Sequence, residues 1–370
     1  MTDPRAADDR PADDRLRVVE SMLTVVPGGM GGSETYARAL VRRLEERPDV
    51  DVRTVLPRDA AGLTGGGTEL VLDGVHGSRT PAGRVLTLAR AAAAGRRVRA
   101  WTADAQVVHV PFSTVVPDPA PGQALVQTLH DVQHLDLPEL FGRGDKLYRR
   151  FTYERDARRA DVVITVSQFA KDRIVHHLGI DPRKVHVAHL GVDAQRFTPA
   201  DGPRGDFLYY PARGWAHKNH RTLVEAVRLL RERHPDLRLV LTGGALEGLG
   251  PLPDWVEVRG LVPDAEVADL YRRARALVFP SRYEGFGLPP LEAMASGTPV
   301  AASRAGSLPE VCGDAAVLFD PDDPRAIADG VEEALDRTDD LVARGVAHAR
   351  TFTWQACTEA HVAAFRAALA

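Results

Sequence analysis

The chain has 370 residues, 44% hydrophobic and 26% charged, with a formal net charge of −4. That length suits two domains with proper cores rather than one, and the acidic balance argues against a nucleic-acid binder, which carries a basic excess. Its only cysteines, Cys312 and Cys357, exclude a disulfide framework or a zinc site of their own and point to a reducing compartment, the cytoplasm.

Residues 1–14 are charged, repeat Ala-Asp-Asp-Arg and lack an apolar stretch, so they read as a disordered tail rather than a signal peptide. No apolar run reaches the roughly 18 residues that a membrane-spanning helix needs. A first domain is expected over 15–198. It opens with a strand from Leu16 to Val26, interrupted by Glu20 and Ser21, then the glycine loop Gly28-Gly29-Met30-Gly31-Gly32 and a helix from about Ser33 to Glu46. Strand, glycine loop and helix start suit an anion. A dinucleotide fingerprint fails, because Glu34 stands where the last glycine belongs and the second strand (Val50 to Leu56) ends in Pro57. An ATP-type phosphate loop fails for want of Gly-Lys-Ser/Thr. A turn needed only for packing competes with the anion reading.

Residues 59–80 read as loops around a short strand, 83–98 as a helix, and Ala105 to Val110 as a buried strand whose His109 is a satisfied core histidine. Ala124 to Leu129 is a strand ending in His130-Asp131, a position that faces the ligand crevice in open α/β sheets. His134 completes an H-x-x-x-H spacing, but in a loop and without the accompanying glutamate, so zinc is rejected. Residues 141–159 carry seven basic side chains (Arg143, Lys146, Arg149, Arg150, Arg155, Arg158, Arg159) against Asp145, Glu154 and Asp156. A solvated face is the default reading; a surface for anionic lipid or a phosphorylated acceptor is the sharper one. After the strand Asp161 to Val166, Ser167 is placed as a helix N-cap.

The Pro- and Gly-bearing stretch 198–206 marks the boundary, and a second domain is expected over 207–352. Its first strand, Phe207 to Pro211, leads into a loop with Arg213 and Lys218 just before a helix. A planar fork and a point charge in that loop suit one diphosphate, and the helix dipole disfavours cations there unless an anion is bound. The chain then reaches LVFPSRYEGFGLPPLEAMASGTPVAAS at 277–303. This is a strand, a glycine loop, a helix with Pro289 and Pro290 in its first turn, and another strand. Glu284 in the loop and Glu292 on the helix stand eight positions apart and could reach one elongated ligand from different sides.

Glu284-Gly-Phe-Gly-Leu followed by Glu292-Ala-Met-Ala-Ser-Gly-Thr-Pro-Val resembles the signature of the retaining nucleotide-sugar glycosyltransferases of glycosyltransferase family four. The resemblance extends over nearly the whole chain from Leu16, including VITVSQFAKDRIVHHLGI and KVHVAHLGVDAQRF. It implies the GT-B fold: an α/β protein of two Rossmann-like domains facing a central cleft, the first on the acceptor side, the second binding the nucleotide sugar, with a final helix over 353–370 returning to the first.

What it implies for the residues follows motif by motif. Arg213 and Lys218 would clamp the diphosphate, helped by the amides of Phe286, Gly287 and Leu288 and by Gly31 and Gly32. Glu284 would contact donor-sugar hydroxyls, Glu292 the ribose, and His130 the sugar beside the reacting centre. Ser167 would mark the loop beside the donor, and Val262 would lie where backbone reads the nucleobase. D-x-D, the metal grip of the other major glycosyltransferase fold, occurs at 49–51 and 320–322 without a supporting constellation, so no metal and no cofactor are expected. The implied reaction is hexosyl transfer from a nucleoside diphosphate sugar to an acceptor hydroxyl with retention, by front-side attack. The phrase Trp215 to His220 tilts the donor toward GDP-mannose, with UDP-sugars close behind. The acceptor stays open between a polysaccharide intermediate, a lipid carrier and a small-molecule aglycone, with peripheral contact on the inner membrane face. A hydrolysing GT-B epimerase and a non-catalytic nucleotide-sugar-binding protein are the alternatives.

Overall fold

The computed structural model describes residues 14–65, 67–200 and 202–370; apart from Asp14, the expected tail lies outside them. Short apolar runs form strands and longer periodic stretches form helices, alternating along nearly the whole chain. The chain divides into two compact units, one holding the described residues up to Pro111 with Val115–Leu125, the other Phe112–Thr114 with Val126–Ala368.

In the first unit β1 (Leu16–Ser21), β2 (Val50–Pro57), β3 (Thr68–Leu72) and β4 (Val107–Val110) lie parallel in the order β3-β2-β1-β4. The opening of β5 (Ala124–Thr128) lies beside β4, where the Ala124 amide donates to the Gln106 carbonyl at 2.9 Å. The helix Gly32–Glu45 carries the chain from β1 to β2 and buries Leu40, Val41 and Leu44 as their spacing requires. Helices Pro81–Ala93 and Gly95–Trp101 stand where one helix was expected over 83–98. Val19, Val55, Leu72, Ala91 and Val98 close the core of this unit.

β1 corrects the sequence reading. It ends at Ser21 rather than Val26, and Glu20 and Ser21 belong to it. Glu20 lies in register with His109 on β4. Its carboxylate sits 2.8 Å from His109 Nδ1, both side chains sealed from solvent. Glu20, which looks like an interruption, is one half of a buried pair with His109, and Ser21 donates to the Val116 carbonyl at 3.2 Å, which is how polar side chains are tolerated inside a sheet.

In the second unit the rest of β5 pairs with β6 (Val162–Thr165), and β6 with β7 (Val185–Val187), a strand the sequence reading did not place. A second parallel sheet holds β8 (Phe207–Pro211), β9 (Arg238–Thr242), β10 (Val256–Gly260), β11 (Ala276–Phe279), β12 (Val300–Ser303) and β13 (Val317–Phe319). Its order is β10-β9-β8-β11-β12-β13. The direction of progression reverses between β8 and β11, so loops leaving these two neighbours diverge and open a crevice at their C-terminal ends. The final helix, Trp354–Ala367, is capped by Thr353 and packs on β6 and β7. Gly191 permits the approach, since a Cβ there would lie 2.2 Å from the Trp354 nitrogen.

Candidate active site

The crevice between β8 and β11 is lined by the loops expected to carry the chemistry. After β8, residues 216–218 form one tight helical turn, and Asn219 adopts a left-handed conformation (φ 62°). The Asn219 side-chain amide donates to the carbonyls of Pro280 (3.2 Å) and Pro321 (2.6 Å), and the Tyr210 hydroxyl donates to the Lys218 carbonyl at 2.6 Å. The turn is thereby pinned to the neighbouring strand ends, and Lys218 is aimed across the crevice. Its ammonium meets the Glu284 carboxylate at 2.5 Å, both side chains largely buried. Arg213 stacks its guanidinium 5.3 Å from the Trp215 ring, and the His217 imidazole lies 5.7 Å from that ring on the same loop. Burial, together with the Lys218 charge, pulls the His217 pKa down to about 4, so the ring is neutral at physiological pH.

The loop after β11 is held from several sides. Ser307 donates to the carbonyls of Glu284 (3.0 Å) and Phe286 (2.6 Å). Gly306 (φ 62°) brings backbone so near that a Cβ would sit 2.7 Å from Glu284 backbone atoms. Gly285 abuts His130 and Asp131, with a hypothetical Cβ 2.9 Å from the His130 carbonyl oxygen. His130 and Asp131 therefore reach the Glu284 loop. Ser167 caps its helix as expected, accepting from the Ala170 amide at 3.0 Å. Its hydroxyl also donates to the Gly285 carbonyl at 2.7 Å, with no exposed surface. Ser167 thus acts on the loop that carries Glu284.

Gly287, at φ 104°, caps the helix Leu288–Ala295. Among the described residues the amides of Phe286, Gly287 and Leu288 donate to no protein acceptor, although Phe286 and Gly287 are buried. Buried amides at a helix N-terminus call for an anion. The Phe286 ring itself turns inward against His189 and Phe352.

Glu292 occupies a different surrounding. One oxygen accepts from the Tyr271 hydroxyl at 2.8 Å, and burial raises the carboxyl's pKa against that bond and the Arg196 charge. The two glutamates that share a motif thus have separate partners, Lys218 for one and Tyr271 for the other. Val262 is half-buried in the loop between β10 and the helix Asp264–Arg273. In the first unit Gly31 (φ 59°) caps the helix Gly32–Glu45, and Arg79 donates to the Gly28 carbonyl at 3.1 Å.

His134 lies in a short helix, Gln133–Asp136, rather than the loop expected, and turns into the core 3.4 Å from Glu154. Two clusters of partners escaped the sequence reading. Tyr283 donates to Asp136 at 2.9 Å, and Asp136 also binds His177 at 2.8 Å and Arg173. Burial alone would raise the Asp136 pKa, but these three hydrogen bonds outweigh it and hold it low. Glu310 accepts from the amides of Gln168 (2.8 Å) and Phe169 (3.0 Å) at the start of a helix and from His189 at 2.8 Å. A serine, asparagine or aspartate before a helix advertises a cap; a glutamate 142 positions away does not.

Two family models match, one described as Glycosyltransferase Family 4 over residues 30–196 and one as Glycosyl transferases group 1 over 206–337. The O-antigen chain mannosyltransferase B of Escherichia coli is 33% identical over 65% of this chain and 70% of its own length. The chain belongs to glycosyltransferase family four. An MMP α-(1→4)-mannosyltransferase of Mycolicibacterium hassiacum is 35% identical over 59% of this glycosyltransferase and 56% of its own length. A D-inositol 3-phosphate glycosyltransferase of Corynebacterium glutamicum is 31% identical over 56% and 57%. Among solved structures, sucrose-phosphate synthase from Thermosynechococcus elongatus superimposes with a TM-score of 0.73 at 19% identity, covering 95% of this chain and 98% of that one. Anabaena HepE in complex with UDP and glucose gives 0.70 at 18%, covering 94% and 98%. These likenesses bear out the GT-B fold, with its two Rossmann-like domains, for this glycosyltransferase.

Proposed function

We propose that this glycosyltransferase transfers a hexose from a nucleoside diphosphate sugar to an acceptor hydroxyl with retention of configuration and without a metal. The observation that carries the reading is the pairing of Lys218 with Glu284 in the same unit as three unengaged amides at a helix start. A diphosphate in the crevice would take Lys218, Arg213 and the amides, releasing Glu284 to accept from sugar hydroxyls. Glu292 offers its second oxygen to a ribose hydroxyl, since a carboxylate accepts and a hydroxyl donates. Preset cations and dipoles stabilise the negative charge that develops on the leaving diphosphate. The bond from the anomeric carbon to the phosphate oxygen breaks, the acceptor oxygen bonds to the same face, and the acceptor proton passes to the leaving phosphate oxygen. The mannosyltransferase relatives favour GDP-mannose as donor, and HepE, crystallised with UDP and glucose, keeps UDP-sugars next.

The test is thermal stabilisation by UDP, GDP, ADP and their sugar conjugates, with and without EDTA. A ligand that binds only the folded state raises the midpoint with RT ln(1 + [L]/Kd). The expected result is a shift selective for one base that survives EDTA and disappears in Lys218→Ala, followed by NMR detection of a product with the donor's anomeric configuration. Donor breakdown that needs no acceptor would establish the hydrolysing epimerase instead. Binding without turnover when acceptors are supplied would establish a binding protein.

A further inference from the structure

Residues 143–159 form an unusual helical segment: Arg143–Arg149, a wide turn at Arg150–Glu154 and Arg155–Arg159. Its inner side is packed. Arg149 stacks between Phe141 (4.8 Å) and Tyr153 (4.9 Å), and the Tyr148 hydroxyl lies 3.4 Å from that of Thr114. Glu154 and Asp156 are buried, Glu154 beside His134 and Arg158 and Asp156 3.1 Å from Arg159. Two of the three acids of the segment are therefore turned inward.

The outer side is different. Leu147 and Phe151 are 55% and 62% exposed, and Leu140, on the preceding turn, is 40% exposed. Positions 143, 147, 150 and 151 recur at helical spacing and share one face. Arg143, Arg150 and Arg155 are exposed along it, against Asp145 and Glu139. A large aliphatic and a phenyl ring in water, flanked by long cationic side chains, have the composition of an interfacial anchor. Apolar tips enter the boundary between headgroups and acyl chains, and arginine stems span it to reach phosphate. The molecule as a whole carries −4, so attraction to an anionic surface must be local, within about a Debye length of this face.

We propose that the face bearing Arg143, Leu147, Arg150 and Phe151 docks on an anionic lipid bilayer. The occupant follows from charge: the buried acids leave an exposed excess of arginine around an apolar centre, which complements acidic headgroups over acyl chains. Docking here stands apart from the transfer chemistry, because none of these residues lines the crevice between β8 and β11.

The experiment is sedimentation of the full chain with vesicles of phosphatidylcholine alone or with about one third phosphatidylglycerol. Binding is expected on the anionic vesicles, weakening as salt rises from about 0.1 M to about 1 M as the charges are screened. Leu147→Ser with Phe151→Ser should lower binding about tenfold, the loss expected when buried apolar anchors are removed. Arg143→Ser with Arg150→Ser should abolish the preference for anionic over neutral vesicles. Both pairs are solvent-facing, so thermal midpoints should match the parent. Absence of binding to anionic vesicles, or retention of full binding by both variants, overturns the proposal. Capture by a protein rather than by vesicles would overturn it equally.

Discussion

Lys218 and Glu284 stand 66 positions apart and meet at 2.5 Å. The sequence pairs Glu284 with Glu292, because both fall in one motif; the structure gives Glu292 to Tyr271 instead. If Lys218 stabilises the leaving group, Lys218→Ala should cost roughly 10²–10³ in kcat/KM for the donor, the scale of losing one donor to a developing anion. Glu284→Gln should fall with it. In the double variant the two losses should not add, since residues in direct contact couple by about 0.5–3 kcal/mol. Steady-state release of nucleoside diphosphate measures all three; strict additivity would mean that each side chain acts alone.

At the scale of elements, the glycines and caps around the helix Leu288–Ala295 are as consequential as the charged groups. Gly287 holds φ 104°, and a Cβ there would come 2.6 Å from a Leu308 methyl. Gly287→Ala should therefore destabilise the fold by about 1–3 kcal/mol through backbone strain, and it should weaken nucleotide binding by displacing the three amides. Ser167→Ala removes a helix cap and the tether to Gly285 together. Loss of the cap alone costs about 1 kcal/mol. Urea unfolding gives the stability change and nucleotide titration the binding change. Native affinity in Gly287→Ala would show that these amides are not the anion site. The sequence made these elements legible, because glycine at a helix start and serine before one act within a single turn. It did not disclose that Ser307 and Gly306 hold the 284–286 loop or that Glu310 caps the start of the helix Gln168–Leu178, since these partners lie far apart along the chain.

For the whole molecule, the neutral buried histidines set the response to acid. Burial lowers the pKa of His217 and of His220 to about 4, and lowers those of His134 and His186 as well. In the unfolded chain histidine titrates near 6.5, so as pH falls below about 6.5 the unfolded state takes protons first and stability declines until the folded pKa is passed. Glu292 and Glu45, raised mainly by burial, oppose this by shedding an unfavourable charge on acidification. Asp136 and Glu310 are raised by burial but lowered more by their hydrogen bonds, so their contribution holds above about pH 4 and is lost as pH falls through their lowered values. The thermal midpoint should fall steadily from about pH 6.5 to pH 4. His220→Phe keeps a ring against Tyr210, 4.9 Å away in the parent, and removes one of these titrations, so its midpoint should fall less steeply. An unchanged slope would assign the acid response to other groups.

The sequence by itself determined the alternation of strand and helix, the glycine loops at two helix starts, the Ser167 cap and the placing of Arg213, Lys218 and Glu284 in loops at strand ends. These depend on periodicity and on residues within a turn of one another, and such interactions are written locally. Only the tertiary structure decided which side chains meet: Glu20 with His109 across two strands, Lys218 with Glu284, Tyr271 with Glu292, and Ser167 with the Gly285 carbonyl. The first follows from the order β3-β2-β1-β4 and the meetings of Lys218 and Tyr271 from the order β10-β9-β8-β11-β12-β13, whose parallel pairing joins residues tens of positions apart. Strand order is set by how all the apolar faces are buried at once, and no short stretch of the chain carries that information.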